Sequence, residues 1–60
     1  MGEKLKQARL AAGLTQKQLA DAVGCKQANI AQYEGEVREP MASTLKKMAQ
    51  ALNKTMDEIF

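Results

Sequence analysis

The stretch Leu14-Thr15-Gln16-Lys17-Gln18-Leu19-Ala20-Asp21-Ala22-Val23-Gly24-Cys25-Lys26-Gln27-Ala28-Asn29-Ile30-Ala31-Gln32-Tyr33-Glu34 holds two helix signals separated by a glycine. Thr15 with Gln18 three residues on reads as a capping box. The hydroxyl takes one orphan N–H of a new helix and the glutamine reaches back to the cap. Leu19, Ala20 and Val23 give that helix its apolar face, and Gly24 stops it. A second helix runs from about Gln27 to Glu34, with Ile30, Tyr33 and Glu34 at inward i, i+3, i+4 spacing. Gly24, Cys25 and Lys26 alone lie between the two, and so short a turn forces a steep crossing.

Upstream, a helix from about Glu3 to Ala12 places Leu5, Ala8, Arg9 and Ala12 on one face, and Gly13 ends it. Downstream, Gly35 to Glu39 form a loop and Pro40 can open the next helix, where its missing N–H costs little. Leu45, Met48, Ala49 and Leu52 are the apolar stripe of that helix, and Asn53 closes it. Thr55-Met56-Asp57-Glu58 is a second capping box, opening a last turn through Ile59 and Phe60. Alternating apolar and polar β-branched residues are nearly absent. The reading is an all-α domain of five short helices over residues 1–60.

Sixty residues suffice for one domain. A chain this short buries only about 60% of the surface that its unfolded form exposes, so its stability is marginal. Cys25 is the single cysteine and histidine is absent, which excludes a disulfide framework and a Cys/His zinc site. No apolar run approaches the ~20 residues that span a bilayer. The N-terminal residues lead into an amphipathic stretch rather than a signal-peptide core. A lone thiol without an export signal points to the cytosol. Nine Lys and Arg against seven Asp and Glu permit a polyanionic partner without demanding one.

Two helices joined this tightly form a helix-turn-helix, here at about residues 16–34. In that motif the first helix crosses the DNA backbone and the second enters the major groove. With Ile30 and Tyr33 inward, Gln27, Ala28, Ala31 and Gln32 face out. A glutamine amide matches adenine N6 and N7, and alanine packs on a thymine methyl, so these four are the candidate base readers. The competing reading makes them merely small, solvated residues.

The segments Gly13-Leu14-Thr15-Gln16, Leu19-Ala20, Gly24, Ile30, Tyr33-Glu34, Pro40, Thr44-Leu45, Met48-Ala49 and Ala51-Leu52, in this order and spacing, resemble the Cro and lambda-repressor-like helix-turn-helix family. The resemblance covers nearly the whole chain. It implies a compact five-helix domain that binds double-stranded DNA and regulates transcription, as a repressor. It implies that Gln16, at a positive helix end, contacts a phosphate, a role compatible with supporting the cap. Lys17, Lys26, Asn29 and Arg38 are further candidate backbone contacts, against the alternative of plain solvated side chains. The resemblance also implies that Arg9 and Glu34, both on inward faces, pair with each other rather than with DNA.

Cys25 sits near a helix start, which can activate a thiol, but it reads more simply as a small core residue. Met41, Met48 and Met56 read as core or as an apolar contact surface. Glu36 with Glu39, and Asp57 with Glu58, lack any accompanying base or nucleophile and read as solvated charge, so no enzyme is expected. No metal, cofactor or membrane is called for.

Two positions depart from the family pattern. Lys26 stands where Ser or Thr would cap the helix, and lysine cannot accept that hydrogen bond. Gly35 comes one position early in a loop that Glu36 and Glu39 make acidic, in a region that the family usually turns toward the DNA backbone. A domain this small covers one half-site, so a homodimer through the fourth and fifth helices is expected, with Ile59, Phe60 and Met56 at its surface. The rival reading is a protein-interaction module, such as an antitoxin or a transcriptional bridging domain, and the acidic loop is what favours it.

Overall fold

The computed structural model describes residues 2–60. Five helices follow in order: α1 (Gly2–Ala11), α2 (Gln16–Val23), α3 (Gln27–Glu34), α4 (Ala42–Leu52) and α5 (Met56–Ile59). The described residues contain no strand. α2 packs on α3 and α4, while α1 packs on α3 and α5, giving a body of 21 × 20 × 19 Å.

The apolar stripes read from the sequence meet in one core. Leu19, Ala20 and Val23 of α2 pack with Leu45, Met48, Ala49 and Leu52 of α4, joined by Leu5 and Ala8 of α1, Ile30 of α3 and Ile59 of α5. Leu19, Ile30, Met48 and Ile59 are fully enclosed. Ala12 does not extend the buried face of α1; it is exposed, because α1 ends at Ala11 and the chain turns away there.

Both capping boxes are formed. Thr15 Oγ1 accepts from the Gln18 amide at 3.0 Å, and Gln18 Oε1 accepts from the Thr15 amide at 2.8 Å. Glu58 completes the same exchange with Thr55. Hydrogen bonds from the Thr55 backbone and side chain hold the Glu58 carboxyl below the usual carboxylate range. Because that value is lowered by folding, the support for α5 is full above the ordinary carboxylate range and fades as pH falls through the lowered one.

Pro40 is not the first residue of α4. It lies two residues before Ala42, and the extended Met41 (φ −65°, ψ 155°) occupies the cap without a side-chain hydrogen bond. Gly2 shows a close approach that its sequence context does not signal. It is buried in the first turn of α1, and a Cβ there would fall on the backbone carbonyl of Glu34.

Four helices end in one motif, in which a left-handed residue and its successor donate to the preceding turn. The left-handed residue is Gly13 (φ 74°), Gly24 (φ 75°) and Asn53 (φ 56°) after α1, α2 and α4, but Glu36 (φ 60°) after α3. There the Glu36 amide donates to Tyr33 O at 3.2 Å and the Val37 amide to Gln32 O at 3.0 Å. Gly35 is ordinary right-handed backbone (φ −82°). The early glycine therefore does not serve the turn, and an L-residue with a Cβ carries the strained conformation. Glu36→Gly is expected to raise stability by about 1 kcal/mol, the relieved strain being partly offset by glycine's greater freedom in the unfolded chain. Urea unfolding checks this; a midpoint that stays put or falls would mean that the Glu36 side chain stabilises the loop.

Candidate nucleic-acid interface

α3 is anchored from one side only. Ile30 is its one buried residue, with Tyr33 half-buried against the core. The opposite face carries Gln27, Ala28 and Ala31, all exposed, with Gln32 half-buried beside them. These four share a face because positions three and four apart are neighbours on a helix. The two small alanines lie between the two amides and leave this face shallow.

At the start of α3, Lys26 has the extended backbone of a cap (φ −88°, ψ 149°) but its side chain makes no cap bond. Lys26 and Lys17 are exposed, and Asn29 is half-buried. Arg38 is exposed in the α3–α4 loop, where it lines a small cleft with Gly2, Tyr33, Glu36, Glu39 and Phe60. It shares that cleft with both loop carboxylates.

Behind α3 lies a polar hub. Arg9 Nε donates to Glu34 Oε2 at 2.6 Å and Arg9 Nη2 to Glu34 Oε1 at 3.2 Å. This is the one salt bridge among the described residues, and its two side chains are 8% and 5% exposed. Arg9 Nη1 also donates to Leu14 O at 2.8 Å, just before α2 begins. Gln16 Nε2 donates to Glu34 Oε1 at 3.1 Å. Gln16 thus takes no part in the cap of α2, which Thr15 and Gln18 complete by themselves; the one-residue offset turns its side chain toward α3.

Cys25 is partly buried against the core, and desolvation pushes its thiol up from the ordinary range, away from easy activation. No cluster of metal-binding side chains occurs among the described residues, and no helix there is long and apolar enough to cross a membrane. Ile59 cannot belong to a partner-facing surface, since it is fully enclosed in the chain's own core. Met56 is 38% exposed and Phe60 is half-buried; the more exposed apolar side chains are Leu10, Val37 and Met41.

The sequence pattern of the helix-turn-helix family matches residues 5–59. The chain belongs to that family. This helix-turn-helix chain is 37% identical over 57 residues to the HTH-type transcriptional regulator ImmR of Bacillus subtilis (strain 168). The match covers 95% of the chain but 45% of ImmR, so the chain spans less than half of that relative's length. Among solved structures, the restriction-modification controller protein C.AhdI from Aeromonas hydrophila superposes with a TM-score of 0.91 at 30% identity, over 98% of this chain and 89% of that one. The biofilm master regulator SinR, solved in complex with DNA, superposes with a TM-score of 0.91 at 21% identity over the full length of both, a likeness of fold.

Proposed function

We propose that this helix-turn-helix domain binds double-stranded DNA sequence-specifically and represses transcription in the cytoplasm by occupying an operator. The observation that carries the reading is the exposed face of α3, where Gln27, Ala28, Ala31 and Gln32 stand opposite the enclosed Ile30. α3 lies in the major groove, with the two glutamines reading adenines and the alanines packing on thymine methyls. Gln16, Lys17, Lys26, Asn29 and Arg38 contact the backbone, which fixes register without carrying sequence. Two copies pair through their C-terminal helices, using Met56 and Phe60, and set their recognition helices about 34 Å apart on a two-fold-symmetric site.

Selection from a random duplex library, followed by a salt titration, tests the reading. A symmetric site is expected. Gln27→Ala and Gln32→Ala should each weaken binding by about 1–3 kcal/mol and relax one base position, whereas Lys17→Ala should weaken all sequences alike and lower the salt slope by about 1. Enrichment of no sequence, with weak binding even at low salt, would sink the proposal. The acidic loop, Glu36 and Glu39 around Arg38, favours a second reading as a protein-interaction module, which the same failure would bring forward.

A further inference from the structure

We propose that Glu34, besides neutralising Arg9, is a positioning residue for Gln16: it turns that side-chain amide nitrogen-inward, so that its second N–H is presented to a DNA phosphate at the start of α2. The inference rests on the DNA reading above. Three donors converge on the Glu34 carboxylate, namely Arg9 Nε, Arg9 Nη2 and Gln16 Nε2. The fork of Arg9, itself tied to Leu14 O, prevents the carboxylate from rotating.

A glutamine amide is nearly symmetric in shape but opposite in polarity at its two ends. An ionised carboxylate accepts only, so it admits the nitrogen and rejects the oxygen. One N–H is used on Glu34, and the other is held in a fixed direction. Without Glu34 the amide turns freely and half of its orientations aim the oxygen, which repels a phosphate. Gln16 is the first residue of α2, where the helix end already favours an anion. Glu34 is the last residue of α3. One buried carboxylate thereby ties the polarity of a backbone contact to the helix that carries the reading face, and holds the two in register.

The test uses the whole chain, labelled with nitrogen-15, and a mixed-sequence DNA duplex at several salt concentrations. In the free protein the two Gln16 side-chain amide protons should be well separated and rigid. On titration the outward proton should shift while the Glu34-facing one stays. Gln16→Ala and Glu34→Gln, compared below the unfolding midpoint of every variant, should each weaken binding by roughly tenfold, as expected for a hydrogen bond to a charged group. The double variant should lose no more than either single one, which a purely structural role for Glu34 does not predict. Additive losses, or a Gln16 amide as mobile as that of the exposed Gln50, would overturn the inference while the duplex still binds. Should Glu34→Gln not fold, the titration of the unmutated chain decides. Absence of any duplex binding at low salt overturns the DNA reading and this inference together, a result distinct from a duplex that binds and ignores Glu34.

Discussion

Arg9→Met is expected to lower the free energy of unfolding by about 3–5 kcal/mol, the loss seen when one partner of a buried ion pair is removed. Methionine fills much of the arginine's volume, so the effect isolates the charge. It strands the Glu34 carboxylate, 5% exposed, with Gln16 as its remaining side-chain donor, and leaves Leu14 O without its guanidinium partner. Sixty residues at the usual stability per residue amount to about 3–9 kcal/mol in all, so the loss removes most of the total and the variant should be partly unfolded before any urea is added. Adding Glu34→Leu should restore part of the loss, because an apolar pair of similar volume is often as stable as the ion pair it replaces. Recovery stays incomplete, since Leu14 O and the Gln16 amide still lack partners. Urea unfolding of the two variants checks both statements. An Arg9→Met variant within 1 kcal/mol of the parent would show that the pair is far better solvated than its burial implies.

Ile30→Ala should cost about 2–5 kcal/mol, and Ile30→Val only about 0.5–1.5 kcal/mol. Ile30 is fully enclosed and is the single buried residue of α3. The cavity left by alanine would therefore free the helix that carries the proposed reading face. Thermal melts rank the two variants. Equal stability would mean that α3 is held in place by Tyr33 and the Glu34 hub instead.

Much of this architecture is legible in the residues because local chemistry decides it. Thr15 and Thr55 cap helices through their own hydroxyls, and Gly13, Gly24 and Asn53 sit where φ must be positive. The apolar stripe of α4 falls at helical spacing and is buried as that spacing requires. What the residues conceal is set by tertiary geometry. Gly35 resembles a helix-ending glycine, and α3 does end just before it, yet Gly35 keeps right-handed backbone and Glu36 takes the left-handed position. Pro40 is compatible with the first helical position, but the chain needs two more residues to reach α4. Ile59 and Met56 are equally apolar in sequence, and packing against α1 and α4 alone separates the enclosed one from the exposed one. Gln16 stands one residue after the Thr15 cap, and its link to Glu34, 18 positions away, has no local signature.

The cleft that holds Arg38 has Gly2 on one wall and Phe60 on another, where α1 packs on α5. The first and last described residues thus open onto one cleft. A linker from Phe60 to Gly2 would join residues that line the same cleft, and an opening after Val37, 79% exposed, would leave all five helices whole. The order in which the helices are threaded is then incidental to the architecture; their adjacency is what the core requires.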